Sequence, residues 1–168
     1  MMHPKAQHYV DELGLLPHPE GGWFKETYRS SGVIPPLVLE GFDGERSFST
    51  AIYFLITAGN FSAFHRIKSD EMWHFYDGAG LLIHELTTDG AYHEHRLGLN
   101  TAKVESPQLM IPANSWFASE VMPSGSWCLV GCTVSPGFDF ADFEMGTELG
   151  LLETFPEHAS LIRRLTRT

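Results

Sequence analysis

Short stretches of alternating apolar and polar residues, separated by turn residues, dominate the chain from residue 48 to residue 134. Alternation with a period of two is typical of strands with one buried face, so each stretch predicts a strand. The strands are predicted near residues 48–57, 61–67, 71–77, 80–87, 91–97, 107–112, 115–121 and 126–134. Many short strands at this regular interval indicate a sandwich, a jelly roll or a closed barrel.

The segment before these strands predicts one helix and one further strand. Residues 5–13 have helical spacing of their apolar side chains, and Gly14 ends the helix. A turn rich in proline and glycine follows, and residues 23–30 then alternate as a strand. Strict alternation places Trp23, Lys25, Thr27 and Arg29 on one side of that strand, and Phe24, Glu26 and Tyr28 on the other.

The end of the chain changes from strands to helices. Residues 147–152 and 156–167 predict two short helices, the second of which opens with Pro156 at a tolerated first-turn position. The length of 168 residues is most simply one domain. We therefore expect a single unit over 1–168, with an N-terminal helix in 1–14, a barrel in 22–143 and a helical tail in 146–168.

Composition narrows the classes of partner. The formal net charge of -10 argues against nucleic acid, because phosphate binding needs clustered Lys and Arg. No apolar run reaches the length of a membrane span, so we expect no membrane partner and a cytoplasmic location. Cys128 and Cys132 have no neighbouring thiolates or histidines for a zinc site and are interpreted as small buried apolar side chains.

The most informative motif runs from residue 59 to residue 78. Its spacing is Gly59, His65, Glu71 and Gly78, which places a histidine and a carboxylate on two strands joined by a tight turn. This spacing resembles the first signature of the cupin superfamily, with Ile67 where a second histidine is usual. The second signature is best matched by Ser106, Pro112, Asn114, Phe117 and Val121, with Phe117 at the ligand position.

Three longer segments resemble one uncharacterised cupin subgroup, long labelled a domain of unknown function. They read HPEGGWFKETYRS, FHRIKSDEMWHFYDG and LVGCTVSPGFDFADFEMG. The resemblance covers nearly the whole chain. It implies an all-β fold, a double-stranded β-helix or jelly roll, with a short N-terminal helix, short C-terminal helices and a small-molecule pocket. It also implies a homodimer, and it implies no established reaction. The sequence leaves open whether Phe48, Ile52 and Phe54 line a dimer seam or the core.

Metal binding is the first question that the resemblance raises. Two of the four usual ligand positions are apolar, which leaves His65 and Glu71 as metal ligands, and a metal in this fold wants three or more. His74 and His84 are candidates for a third ligand. The alternative is that His65 and Glu71 form a hydrogen-bonded pair. We expect either no cofactor or a weakly held divalent metal.

A second histidine pair lies further along the chain. His93 and His95 would share one face of a strand, which is a spacing that can bind metal. The segment is highly polar and has no third ligand, so an exposed edge strand explains it better.

Candidate ligand-binding residues fall into a polar and an aromatic group. The polar group follows the rigid turn near residue 20 and comprises Glu20, Lys25, Thr27 and Arg29. An amphipathic outer strand explains these charges equally well, and the resemblance favours the pocket. The aromatic group is a candidate stacking wall or part of the core, and comprises Trp73, Phe75, Trp116 and Phe117.

Three functions remain open at this point. The first is an isomerase or epimerase acting on a sugar or nucleotide-like metabolite, with His65 as a general base oriented by Glu71. Tyr28, Tyr53 or Tyr76 would then be the opposing acid, with Tyr28 taken as the first candidate. The second is a module that binds a metabolite without catalysis. The third is a metal-dependent oxygenase or isomerase with an incomplete motif.

Overall fold

The computed structural model describes residues 2–167 as two β-sheets with short helices on their outer faces. Its helices are α1 (Pro4–Leu13), α2 (Glu148–Thr154) and α3 (Ala159–Leu165). Short 3-10 helices occupy Thr101–Lys103, Phe140–Asp142 and Pro156–His158. The strands are β1 (Leu16–Pro17), β2 (Trp23–Arg29), β3 (Val33–Ile34), β4 (Arg46–Ser47), β5 (Thr50–Thr57), β6 (Phe61–Arg66), β7 (Asp70–Gly78), β8 (Leu81–Leu86), β9 (Tyr92–Leu97), β10 (Gln108–Ile111), β11 (Trp116–Val121), β12 (Trp127–Ser135) and β13 (Glu144–Met145).

All pairings between neighbouring strands within the sheets are antiparallel. One sheet has six strands in the order β1-β2-β5-β12-β7-β10, and the other has five in the order β13-β6-β11-β8-β9. Strands β3 and β4 form a separate two-stranded ladder. Successive strands after β5 alternate between the sheets over much of the chain, as in a jelly roll. The predicted all-β fold is confirmed.

The main core lies between the two sheets. Phe54, Trp73 and Val130 come from the six-stranded sheet, and Ile83 and Phe117 come from the five-stranded sheet. Each of these five side chains is almost wholly removed from water. Burial of apolar surface contributes about 25 cal/mol per Å², so this cluster is a major source of the stability of the sandwich.

The helices cover the outer faces of the sheets. Helix α1 begins with Pro4, a residue preorganised for the first turn, and ends at Gly14 in the left-handed conformation. Its Ala6 packs with Leu55 and Leu129 on the six-stranded sheet. On the five-stranded sheet, Leu151 of α2 and Ile162 of α3 pack against Phe64. No helix among residues 2–167 is both long enough and apolar enough to cross a bilayer.

Two β-bulges alter the faces to which residues point. In β2 the register with β5 shifts between Glu26 and Tyr28, where Glu26 pairs with Ile52 and Tyr28 pairs with Ala51. In β6, Ser62 and His65 are three residues apart, but they pair with Ser119 and Phe117 of β11, which are only two residues apart. An extra residue in one strand re-aims the side chains that follow it.

The predicted strand boundaries agree with the structure to within about two residues. The segment of residues 31–46, for which the alternation predicts no strand, contains β3 and the first residue of β4. The predicted helix over 156–167 begins as a 3-10 helix and becomes α3 at Ala159. The polar strand with His93 and His95 is β9, at an edge of its sheet, as predicted. Phe48, Ile52 and Phe54 were expected either at a dimer seam or in the core. Ile52 and Phe54 face the interior, whereas Phe48 is 54% exposed.

Candidate functional site

A cavity of about 250 Å³ opens between the two sheets at one end of the sandwich. Its inner residues include Glu20, His65 and Glu71, each less than 9% exposed, and its outer residues include the exposed Arg29 and Phe140. The full lining comprises His18, Glu20, Phe24, Glu26, Arg29, Thr50, Ile52, Phe54, His65, Ile67, Glu71, Trp73, Cys132, Val134, Phe138, Asp139, Phe140 and Phe143. Concave sites with apolar walls and a few convergent polar groups are typical of small-molecule binding.

His65 forms its closest carboxylate contact with Glu20. Its Nδ1 lies 2.7 Å from the carbonyl oxygen of Ala63. A carbonyl oxygen can only accept, so Nδ1 carries the proton and Nε2 is left facing the interior. That Nε2 lies 3.1 Å from Oε2 of Glu20. The two groups therefore lie close enough for a proton to pass between them.

Glu20 is held in place by groups from three other parts of the chain. Ser62 Oγ donates to its Oε1 at 2.9 Å, and its Oε2 lies 3.4 Å from Nδ1 of His18. The bulge in β6 allows both Ser62 and His65 to reach this carboxyl group. From the end of the chain, Nε of Arg167 donates to the backbone oxygen of Glu20 at 3.1 Å. The turn that carries Glu20 is thereby fastened to the segment that follows α3.

Glu71 has few protein partners. It extends from β7 beside the apolar neighbours Ile111 and Val134. The thiol of Cys132 donates a hydrogen bond to its carboxyl group. A thiol is a weak donor and a carboxylate has about four acceptor sites, so most of the hydrogen-bonding capacity of Glu71 is left for a bound molecule.

Burial shifts the pKa values of the acidic and histidine side chains in the cavity in the directions that favour their neutral forms. Desolvation raises the pKa of Glu71 to about 7, the nearby charge of Glu20 adds to that rise, and His65 opposes it. Burial likewise raises the pKa of Glu20 and lowers the pKa of His65 and of His18. Each shift follows from the high free energy of a charge removed from water. The pKa of the Cys132 thiol is raised, chiefly by burial, so this thiol stays protonated.

The open end of the cavity combines one ion pair with aromatic rings. Arg29 donates two hydrogen bonds to Glu26, at 2.9 and 2.7 Å. It donates further bonds to Oγ of Ser47 at 3.3 Å and to the carbonyl oxygen of Phe138 at 3.1 Å. Next to it, the rings of Phe138 and Phe140 are 5.0 Å apart in an edge-to-face arrangement. Phe138, Phe140 and Phe143 thus line the opening of the cavity.

The structure brings five of the predicted site residues to the cavity. They are Glu20, Arg29, His65, Glu71 and Trp73. His65 is in contact with Glu20, whereas its predicted partner Glu71 interacts with it through charge at a longer distance.

Other predicted residues of β2 do not reach the cavity. Nζ of Lys25 donates to the carbonyl oxygen of Leu13 at the end of α1, and Thr27 donates to the backbone of Ala51. Tyr28, the predicted acid, is 54% exposed and does not line the cavity. The bulge after Glu26 is the physical reason, because it puts Glu26 and Arg29 on the same face, against strict alternation.

Three predicted aromatic residues also lie outside the lining. Phe117 is fully buried in the core, with its ring centroid 4.2 Å from that of His65. Phe75 packs against the same core from its edge. Trp116 belongs to the cluster beneath the C-terminal helices, where the guanidinium of Arg66 lies 4.4 Å from its ring.

The residues present do not fit a metal ion of the kind that the cupin resemblance implies. Within residues 2–167, no group of three or more His, Cys, Asp and Glu side chains is arranged to hold one. Ile67 lines the cavity where a second histidine is usual. His74 bonds Thr133 and Gln108, and His84 bonds Tyr92 and Glu120, so neither is available as a third ligand.

Sequence reasoning did not assign several residues of the cavity wall to the site, and His18, Glu26, Cys132 and Phe143 are four examples. His18 and Phe143 carry no spacing signal, since they reach the site from loops. Glu26 was assigned to the opposite face of its strand. Cys132 was interpreted only as a small buried side chain, and its pairing across β12 and β7 with Trp73 is a signal that becomes visible once strand register is known.

Comparison with known proteins gives consistent matches. The sequence matches the family described as Cupin superfamily (DUF985) over residues 7–146. Protein SO0799 from Shewanella oneidensis is 38% identical, with a TM-score of 0.86 over 96% of this chain and 97% of that one. A hypothetical protein from Leishmania major is 32% identical, with a TM-score of 0.90 over 97% and 99%.

Two further matches extend the comparison. An uncharacterized protein of Saccharomyces cerevisiae, YML079W, is 29% identical over 146 residues, which span 81% of this chain and 72% of that protein. Oxalate decarboxylase from Bacillus subtilis is 10% identical, with a TM-score of 0.54 over 89% of this chain and 36% of that one. At this low identity, the similarity to oxalate decarboxylase shows a shared fold and nothing more.

Proposed function

Because the chain belongs to the Cupin superfamily, in the family described as DUF985, we propose that it binds a small metabolite in its cavity and transfers protons on it, as an isomerase or epimerase does. One observation carries this proposal: two buried carboxyl groups with different partners line the inner cavity beside His65 and His18. Fold likeness alone assigns no reaction.

The two carboxyl groups suit different parts of a proton transfer. Glu71 has a pKa near 7 and a carboxyl group with only a thiol as partner, which is the condition of a general acid or base working at neutral pH. Glu20 and His65 lie 3.1 Å apart and can accept or return a proton as a unit. An epimerisation needs one group to remove a proton and a second group to return one.

The general-base role that the sequence suggested for His65 is therefore revised in detail. Its Nδ1 donates to Ala63 and its Nε2 faces Glu20, so His65 acts through Glu20. Tyr28 has no part in the revised scheme, because it lies on the outer surface.

Deuterium exchange tests this proposal before any substrate is identified. The purified protein is incubated with fractionated metabolite extract in heavy water, and mass spectrometry detects metabolites that gain deuterium at carbon. We expect at least one metabolite to exchange with the wild-type protein, and that exchange to be lost with Glu71→Gln and with His65→Ala.

His74→Gln is the matched control. His74 lies on the same strand as Glu71 but bonds Thr133 and Gln108 away from the cavity, so exchange should match the wild type. Exchange that survives both cavity substitutions would contradict the proposal. Binding of a metabolite from the same extract without any exchange would instead support a non-catalytic binding protein.

A further inference from the structure

We infer that the cavity selects a small organic cation, an ammonium group carried on a ring or short apolar body, with the ammonium placed at Glu71 and the body between the aromatic walls. This inference rests on the proposed function in one respect, because it takes the same cavity as the binding site. It adds the chemical class of the ligand.

Acidic groups outnumber basic ones in the cavity wall. Four carboxyl side chains line it: Glu20, Glu26, Glu71 and Asp139. Within the described part of the chain, Arg29 is the one arginine or lysine in the lining. The guanidinium of Arg29 already donates to Glu26, Ser47 and Phe138, which uses four of its five N–H groups. A bound carboxylate or phosphate would therefore meet buried acids and no free counter-ion.

Glu71 supplies the specific contact for a cation. It is 8% exposed, lines the cavity, and receives one weak hydrogen bond, from the thiol of Cys132. Its cross-strand neighbours Ile111 and Val134 are apolar and offer no donor from their side chains. An N–H donor on a ligand would meet a carboxyl group whose remaining acceptor sites are free. Charge-assisted hydrogen bonds of this kind are about twice as strong as neutral ones.

The walls suit an apolar body attached to that cation. Aromatic rings line the cavity from its inner part to its opening, and comprise Phe24, Phe54, Trp73, Phe138, Phe140 and Phe143. The faces of such rings attract cations, and a desolvated position strengthens the attraction. Aromatic walls with a carboxylate among them therefore favour an ammonium compound over a neutral compound of the same shape.

The volume limits the size of the ligand. A cavity of about 250 Å³ lies just below the range of roughly 300–1,000 Å³ that is typical of ligand pockets. That space accommodates a single ring with a short arm. A complete nucleotide sugar would extend beyond the opening, past Arg29 and Phe140.

Three probes of one shape separate the possible charges. Benzylamine, benzyl alcohol and benzoate share a phenyl ring and differ in carrying a cation, a neutral hydroxyl and an anion. Binding is measured at pH 8 by shifts of cavity-residue amide resonances in titrations of the full chain. We expect benzylamine to bind about tenfold more tightly than benzyl alcohol, which corresponds to about 1.4 kcal/mol. Benzoate should not bind in the millimolar range.

Glu71→Gln is the decisive variant, because it keeps the shape of the side chain and removes its charge. We expect it to lose the preference for benzylamine over benzyl alcohol, while Glu12→Gln, at an exposed position of α1, retains it. Equal binding of the alcohol, tighter binding of benzoate, or no benzylamine binding would overturn the inference. A preference that persists in Glu71→Gln would overturn it as well.

The result is separable from the test of the proposed function. Benzylamine selectivity without deuterium exchange on any metabolite would support the ligand class and contradict the isomerase proposal. Deuterium exchange that depends on Glu71, combined with equal binding of the three probes, would support the isomerase proposal and contradict the ligand class.

Discussion

At the scale of single residues, Glu71 and Glu20 share a buried wall but differ in what satisfies them. Glu20 has Ser62, His18 and His65 as side-chain partners, whereas Glu71 has only a thiol. Both carboxyl groups have a raised pKa because burial disfavours their charge. Such a pKa shift makes the free energy of unfolding depend on pH, because the folded and the unfolded chain bind the proton with different affinities.

The pH dependence of stability should therefore depend on Glu71. Its pKa is about 7 in the folded chain, against an ordinary value of 4.5. Below pH 4.5 both states hold the proton, and from there to pH 7 only the folded state retains it. The contribution of Glu71 to stability thus falls with rising pH across this window, by about 3 kcal/mol in total, and is constant above it. Glu71→Gln removes this loss.

The measurement is chemical unfolding of both proteins at pH 4.5 and at pH 8. Glu71→Gln should match the wild type at the lower pH and exceed its unfolding free energy by about 2–3 kcal/mol at the higher pH. Glu12→Gln, exposed on α1, should show no such difference. A Glu71→Gln protein less stable than the wild type at pH 8 would show that the carboxylate is stabilised by its surroundings, contrary to this account.

Sequence reasoning found part of the residue-level site. The spacing of His65 and Glu71 follows from two strands and a turn, which are local features, and the structure brings both side chains to one cavity. Glu20 was predicted as a ligand-binding residue, but its contact with His65 spans the chain from residue 20 to residue 65. The periodicity of apolar and polar residues carries no information about a contact between a loop and a distant strand.

At the scale of elements, bulges account for what alternation predicted wrongly. Strand β2 has the expected length, yet one extra residue after Glu26 turns Arg29 inward and Tyr28 outward. Strand β6 uses the same device to bring Ser62 and His65 to Glu20. The local alternation of polar and apolar residues is enough to predict a strand. A bulge depends on the register with a partner strand, and the local sequence carries no information about that register.

The turn that carries Glu20 is the element most sensitive to substitution. Gly21 has a φ of +115°, and a Cβ there would stand 2.1 Å from the carbonyl oxygen of Phe61. Gly21→Ala should therefore combine backbone strain with a steric clash against β6. Each of these effects costs roughly 1–3 kcal/mol. We expect Gly21→Ala to lower the unfolding free energy by about 3 kcal/mol or more.

Gly59→Ala provides the matched control for this prediction. Gly59 also has a positive φ, of +81°, but a Cβ there would have no atom within 4 Å. It should carry the backbone strain alone, at about 1–2 kcal/mol. Urea unfolding of both variants at one pH measures the difference. Equal losses would mean that the turn can move away from Phe61 without penalty.

At the scale of the whole molecule, the outer face of the six-stranded sheet is only partly covered. Helix α1 packs on Leu55 and Leu129 at one end. At the other end, cross-strand pairing aligns an uncharged row through β2, β5, β12, β7 and β10. The row comprises Tyr28, Ala51, Thr133, Met72 and Met110. This row is where we expect the predicted homodimer to form.

Sedimentation of the purified protein tests that expectation, and should give twice the mass of the chain. Met110→Glu places a charge on the exposed end of the row and should shift the equilibrium to the monomer. Leu149→Glu is the control, since Leu149 is 77% exposed on α2 at the opposite sheet and should leave the dimer intact. A wild-type protein that sediments as a monomer would contradict the prediction, as would a dimer unaffected by Met110→Glu.

The bond from Arg167 to the backbone of Glu20 has a consequence for biosynthesis. The two residues are 147 positions apart, so a ribosome must add the whole sandwich after Glu20 before the bond can form. Until residue 167 leaves the exit tunnel, the turn at Glu20 lacks the guanidinium that fastens it to Asn60 and Phe61. A nascent chain stalled within the last helix would thus hold a nearly complete sandwich around an unfastened acid–base pair.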